Sequence, residues 1–244
     1  MRFTKMHGCG NDFIVIDGPL EVTPDGARQL CDRRRGIGAD GILTIGWQKN
    51  GRWLVTLHNA DGSVGESCGN GARCVARYLL DRRGGDNVDL SFAGGDVSAR
   101  REGDGIAITL RAPSPPEPIV IDGHQAYRTS VGNPHVVVFV ADPDKVDLPA
   151  LAATARAIVG QANVGAAQIL DNGHVVLRVD ERGVGETLAC GTGACAAVLA
   201  ATCVHSMDPS VRVSVRGGDL VVRRGPTRFE LSGPAEYAFE GEVP

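Results

Sequence analysis

Short apolar runs and alternations, each bounded by Gly, Asp or Asn, dominate the chain. They predict strands over 13–17, 41–45, 53–58, 88–92, 106–110, 135–140, 175–179, 211–215, 220–223 and 228–231, with a strand-like tail at 237–243. Four stretches carry helical signals instead. Thr23-Pro24 joins a capping hydroxyl to a first-turn proline and leads through Ala27, Leu30 and Cys31. Residues 148–159 are alanine-rich, with Leu151, Ala155 and Ile158 at helical spacing. The other two, 71–81 and 193–204, each follow a cysteine-glycine segment. The last is apolar on every side, the mark of a buried helix.

Those two segments, Cys68-Gly69-Asn70-Gly71-Ala72 and Cys190-Gly191-Thr192-Gly193-Ala194, repeat one pattern at an offset of 122 residues (68 to 190), half of the 244-residue chain. The same offset carries Gly10-Asn11 onto Gly132-Asn133, each followed by an apolar run. Two matches on one offset indicate an internal duplication. The expected fold is α/β of the α+β kind, with two pseudo-symmetric lobes. Each lobe is a curved, mainly antiparallel sheet wrapped round a central helix, with a second helix outside. The proline-rich run 113–118 reads as a linker, which puts the lobes at 1–115 and 119–232 and leaves a tail, 233–244, to return to the first.

Composition narrows the function. The net charge is −4, with both signs interspersed and no basic stripe, which argues against nucleic acid or an acidic membrane surface as partner. No apolar run approaches the roughly 18 residues of a membrane span, and the first residues lack a leader pattern, so a cytoplasmic protein is expected. Seven cysteines, without a Cys-x-x-Cys pair, fit neither a disulfide framework nor a zinc site, and reduced thiols are the simplest reading. Only Lys5, Lys49 and Lys145 could serve as a Schiff-base partner, and no phosphate cup accompanies them. The chemistry is therefore expected to need no cofactor and no metal.

A thiol is mostly protonated at neutral pH, and a helix N-terminus stabilises its thiolate through unpaired N–H groups and partial positive charge. Cys68 and Cys190 are placed for that effect. Gly69 and Gly71, like Gly191 and Gly193, leave first-turn amides bare, a ready cradle for a carboxylate. Cys74 and Cys195 lie inside the helices and read as core, as do Cys31 and Cys203, while Cys9 reads as a loop residue. Two lobes presenting two thiols to one cleft suit proton transfer on both faces of one carbon. Asn11 and Asn133 each precede a strand, where an amide can pair with a bound zwitterion. Asn59 maps by the offset onto Glu181, and Glu181-Arg182 can hold an ammonium and a carboxylate. His135 is placed to orient a thiol or accept its proton.

With these residues in place the chain resembles the diaminopimelate epimerase family. The likeness runs from Phe3-Thr4-Lys5-Met6-His7-Gly8 and Gly10-Asn11-Asp12-Phe13 through Gly36-Ile37-Gly38-Ala39-Asp40-Gly41 and Asn59-Ala60-Asp61-Gly62 to the first cysteine segment. It continues through Gly132-Asn133-Pro134-His135, Asn163-Val164, Glu181-Arg182-Gly183 and the second cysteine segment to Phe239-Glu240-Gly241-Glu242. The resemblance implies interconversion of LL- and meso-diaminopimelate on the route to lysine and peptidoglycan, without pyridoxal phosphate or metal. One cysteine, as thiolate, removes a proton while the other, as thiol, protonates the opposite face, and Cys68 and Cys190 match those positions. It further implies substrate contacts from Asn11, Asn59, Asn133, Asn163, Glu181 and Arg182, and from backbone groups of Gly69, Asn70, Gly191 and Thr192, with His135 and Glu181 near the thiols. Asp180, Cys9 and Gly41 depart from the family pattern. The expected partners are a small amino-acid substrate and, as protein, a second copy in a homodimer. Two rival readings remain: a proline-racemase-like enzyme sharing the two-thiol mechanism, and a thiol-redox or ligand-binding protein in which the two cysteines oxidise reversibly.

Overall fold

A computed structural model describes residues 1–66, 68–111, 113–225 and 227–243. It divides into two compact units, Met1–Ile108 with Gly233–Pro244, and Thr109–Ser232. The division thus falls a few residues before the proline-rich run, and Glu117–Ile121 within that region is a strand of the second unit.

In the first unit the chain forms strand β1 (Arg2–Gly8), β2 (Asn11–Asp17), helix α1 (Pro24–Cys31), β3 (Gly41–Lys49), β4 (Arg52–Asn59), a short β5 (Val64–Gly65), helix α2 (Gly69–Arg83), β6 (Asn87–Phe92), β7 (Gly95–Glu102) and β8 (Gly105–Arg111). The second unit holds β9 (Glu117–Ile121), β10 (His124–Ser130), β11 (Pro134–Phe139), a 3₁₀ turn (Pro143–Lys145), helix α3 (Leu148–Val159), β12 (Asn163–Asp171) and β13 (His174–Glu181). Short β14 (Gly185–Thr187), helix α4 (Gly191–Ala201), β15 (Ser210–Val215), β16 (Gly218–Arg224) and β17 (Arg228–Gly233) complete it. The last strand, β18 (Glu236–Glu242), belongs to the first unit and pairs antiparallel with β1.

Duplication is visible in the hydrogen-bond ladders. From β1 through β2, β3, β4, β6 and β7 to β8 the pairings run antiparallel, parallel, antiparallel, parallel, antiparallel, antiparallel. From β10 through β11, β12, β13, β15 and β16 to β17 the same series recurs. Register repeats too: Phe13 pairs with Gly41 on β2 and β3, and their offset equivalents His135 and Asn163 pair on β11 and β12. Because side chains alternate faces with period two, equal register puts equivalent residues on equivalent faces.

Each sheet packs one helix on its inner side and one outside. Helix α4 buries Ala194 through Val198 with Ala200 and Ala201, small residues that let strands approach on every side. On the outer face α3 sets Leu148, Leu151, Ala152 and Ala155 against Val136, Val138 and Val164, while Ile158, expected on that face, is exposed. Helix α1 does the equivalent with Ala27 and Cys31 against Ile14, Ile16 and Ile42, capped by Thr23 Oγ1 accepting from the Gly26 amide. The last predicted helix stops at Ala201, so Cys203, expected in the core, is exposed in the turn that follows. Among the described residues no helix is long and apolar enough to cross a membrane.

The turn from β1 to β2 carries Cys9 and Gly10 at φ 53° and 80° between the paired Gly8 and Asn11. Two left-handed residues in a two-residue loop make a turn whose twist matches the hairpin. Cys9 thus lies in a loop as expected, and is buried there.

Candidate functional site

Cys68 and Cys190 are each the residue that begins a helix, α2 and α4, with extended backbone. That conformation is typical of an N-cap and aims the side chain back toward the first amides. Neither is in a disulfide. Their surroundings differ.

Around Cys68, which is half-buried, three expected site residues converge. The sulfur lies 3.6 Å from Asn11 Oδ1, to which the thiol donates, and Asn70 Nδ2 donates to the same oxygen at 3.2 Å. Cys68 makes no side-chain cap bond to its helix. Asn70 Oδ1 in turn accepts from Arg73 at 2.9 Å. The Arg73 guanidinium is buried completely and also donates to Pro234 O at 3.3 Å and Gly69 O at 3.5 Å. At the other end Asn11 Nδ2 donates to Asp40 Oδ2 at 2.7 Å. Arg33 bridges Asp40 and Asp12, at 2.8 and 2.7 Å, and Lys5 pairs with Asp12 at 2.6 Å. Burial pushes the Asp12 carboxyl up, but hydrogen bonds and charge from Arg33 and Lys5 prevail and hold it well below the carboxylate range. Asn59 uses its amide locally, donating to Ser63 Oγ at 2.9 Å.

Around Cys190, which is buried, donors gather instead. The Gly193 amide donates to the sulfur at 3.4 Å, and Thr192 Oγ1 lies 3.5 Å away. Thr192 Oγ1 is 3.0 Å from His135 Nε2, which is also 3.0 Å from Asn133 Oδ1. Burial pushes His135 down to about 4, so the ring is neutral near pH 7. Its Nε2 must carry the proton, because Asn133 Oδ1 can only accept. Thr192 can accept from that N–H and keeps its own hydrogen for Cys190. Glu181 hydrogen-bonds the Cys190 thiol and accepts from Thr187 Oγ1 at 2.7 Å. Asn163 accepts the Arg182 amide at 2.9 Å, pinning the turn after Glu181. Arg182 is exposed, its guanidinium in no ion pair among the described residues.

The helix N-terminus was expected to stabilise a thiolate at both sites. At Cys190 burial raises the pKa well above the ordinary thiol value, the Glu181 charge raises it further, and the Thr192 and Gly193 hydrogen bonds only partly oppose them. Magnitudes explain the outcome, since full burial shifts a group by up to about 3–5 units whereas a helix terminus contributes roughly 0.3–1 kcal/mol, under one unit. Cys190 is therefore a protonated thiol in this state. Deep in α2, Cys74 is pushed by burial to about 12, as a core thiol should be.

The glycines have a packing role beside the expected exposure of amides. A Cβ on Gly191 would stand 2.6 Å from Leu231 Cδ2, and one on Gly193 would stand 3.1 Å from Val179 Cγ2 and 3.3 Å from Cys190 Sγ. Among the described residues no group of three His, Cys, Asp or Glu side chains is arranged to hold a metal ion. Sequence reasoning missed Arg73, Asp40, Arg33 and Thr187. Asp40 stands inside a motif that carries the family likeness, but nothing in its spacing marks it as a partner of Asn11.

Comparison with known proteins agrees with this architecture. A family model for diaminopimelate epimerase matches residues 3–112 and 127–226. The diaminopimelate epimerase of Acidovorax ebreus (strain TPSY) is 37% identical over 100% of this chain and 97% of its own length. That of Azoarcus sp. (strain BH72) is 38% identical over 100% and 98%. Among solved structures, a PhzF-family phenazine biosynthesis protein from Enterococcus faecalis matches with a TM-score of 0.78 at 14% identity, covering 99% of this chain and 98% of that one. A probable proline racemase from Agrobacterium radiobacter K84 matches at 0.74 and 15%, covering 100% and 92%. These two likenesses concern the fold alone. Together with a cysteine at the N-cap position of each of two helices in equivalent registers, the family match and the full-length relatives place the chain in the diaminopimelate epimerase family.

Proposed function

We propose that the chain interconverts LL- and meso-diaminopimelate by a two-base exchange at one α-carbon, Cys68 serving one face and Cys190 the other. The observation that carries the reading is a pair of cysteines at the N-cap position of equivalent helices of a duplicated unit, each within a hydrogen-bond network of its own. An amino-acid α-proton is very weakly acidic, and its removal needs a preorganised, water-poor site that stabilises the developing carbanion. In the direction in which Cys190 delivers its proton, Cys68 takes the α-proton as thiolate, and the reverse reaction exchanges the roles. The thiolate left on Cys190 then keeps the Gly193 and Thr192 donors, which favour that charge. Asn11, Asn59, Asn133, Asn163, Glu181 and Arg182, with backbone amides of Gly69, Asn70, Gly191 and Thr192, hold the two amino-acid ends of the substrate. The reaction proceeds without cofactor or metal, in the cytoplasm, in lysine and peptidoglycan precursor supply.

The test is incubation with LL-diaminopimelate in D₂O under reducing conditions, following α-deuteration and meso product. Wild type is expected to deuterate and epimerise, and Cys68→Ala and Cys190→Ala each to lose on the order of 10³-fold or more. Absence of exchange in folded, reduced wild type would overturn the substrate assignment and favour another amino acid.

A further inference from the structure

In the first unit four side chains form a hydrogen-bond chain with a direction. Arg73, which can only donate, gives a hydrogen bond to Asn70 Oδ1 at 2.9 Å. Asn70 Nδ2 donates to Asn11 Oδ1 at 3.2 Å, and Asn11 Nδ2 donates to Asp40 Oδ2 at 2.7 Å. Asp40, as a carboxylate, can only accept, and Arg33 pairs with it at 2.8 Å. An amide side chain is nearly symmetric in shape, so its orientation is decided by its partners. Here both ends are fixed by charge, and only one orientation of each amide satisfies the chain. Turning Asn11 over would set its oxygen against the Asp40 carboxylate and its NH₂ against that of Asn70. Turning Asn70 over would set its NH₂ against the buried Arg73. The offset equivalents in the second unit are Ala162 for Asp40, Thr192 for Asn70 and Cys195 for Arg73, so this device belongs to the first thiol alone.

We infer that Asp40 and Arg73 are positioning residues which, from opposite ends of this chain, lock the Asn11 amide so that its oxygen and not its NH₂ meets the Cys68 sulfur. The inference rests on the proposed role of Cys68 as a proton carrier. A carbonyl oxygen 3.6 Å from the sulfur accepts from the thiol and offers nothing to a thiolate. The locked amide therefore keeps the proton on Cys68 until substrate arrives, and directs it along one line. Neither Asp40 nor Arg73 touches the sulfur. Release of the Asp40 end leaves only the Asn70 NH₂ to oppose a turn of Asn11, so that the Asn11 NH₂ meets the sulfur for part of the time and stabilises the thiolate by up to about one hydrogen bond to a charged group.

The experiment needs no substrate, so its outcome is independent of whether the substrate assignment holds. Alkylation by iodoacetamide near neutral pH is followed thiol by thiol by peptide mass spectrometry, with exposed Cys203 as internal standard and Cys190 as control. In Asp40→Ala the Cys68 to Cys203 rate ratio is expected to rise roughly three- to tenfold, the gain in thiolate being partly offset by its lower nucleophilicity. Cys190 should be unchanged. Asp40→Asn keeps one acceptor for two sets of donors, Arg33 and the Asn11 and Asp12 N–H groups, and should give an intermediate ratio. Should Asp40→Ala fail to fold, Asp40→Asn carries the test by itself. A Cys68 ratio equal to wild type in a folded variant, or a parallel rise at Cys190, would overturn the inference, the latter because it signals general loosening.

Discussion

The two thiol sites share a backbone and differ in chemistry. Both sulfurs sit at the N-cap of the inner helix in units whose strand pairings follow one series. Yet four equivalent positions have diverged: Phe13 against His135, Asn59 against Glu181, Asn70 against Thr192, and Asp40 against Ala162. Cys68 donates to an amide oxygen held by charged residues and caps nothing. Cys190 receives a backbone amide, neighbours a hydroxyl and hydrogen-bonds a carboxylate. Duplication thus placed two sulfurs alike, and divergence of their neighbours gave each its own hydrogen-bond partners.

The largest expected consequence is in stability against acid. His135 titrates at about 4 in the folded protein, against 6.5 ordinarily, so between those values the unfolded state binds more protons. The stabilisation is fully present above about pH 6.5 and is lost as pH falls toward 4, by up to about 3 kcal/mol. Phe13, its counterpart, has nothing to titrate. Urea unfolding between pH 4 and 7.5 should show His135→Gln losing this part of the slope, and a slope equal to wild type would mean that His135 is not the buried neutral base described.

Next comes the glycine pair inside the cysteine segments. A methyl on Gly71 would meet Leu43 Cδ1 at 3.1 Å and Phe13 Cζ at 3.5 Å, whereas one on Gly193 would meet Val179 at 3.1 Å and the Cys190 sulfur at 3.3 Å. Both Ala variants should be destabilised by roughly 1–2 kcal/mol, as overpacking usually costs. Gly193→Ala should in addition slow epimerisation beyond what its stability explains. Equal kcat values in the two variants would erase the distinction between the sites.

The smallest effect concerns Glu181. Removing its charge in Glu181→Gln takes away one of the causes that raise Cys190 and should speed Cys190 alkylation several-fold relative to exposed Cys203. Cys68 should not respond. If Cys190 stayed as slow as in wild type, burial alone would account for its retained proton.

Much of this molecule could be read from residue order. Helix 148–159 was legible to the residue from its alanine content and apolar spacing, and the structure bounds it with an Asp147 cap, a first-turn proline and a closing glycine. Strands such as β1, β7, β10 and β12 escaped notice because they mix polar with apolar residues and show no clean apolar run or alternation between their turns. They are held by neighbours on both sides, and cross-strand burial overrides weak local preference. Of the expected site, Asn11, Cys68 and Asn70 do meet, as do Cys190, Thr192, His135 and Asn133. Cys203 misled because the helix it was assigned to ends two residues earlier.

By itself the sequence determined the duplication, the helix starts and the two cysteines that stand at them, since these depend on spacing and on short-range capping rules. Tertiary structure decided the rest: which atoms face each sulfur, that burial outweighs the helix terminus at Cys190, and that Asp40 and Arg73, 33 residues apart in the sequence, end one hydrogen-bond chain. Proton affinity and amide orientation depend on partners brought from distant strands and on the loss of water around them, and neither is encoded in local order.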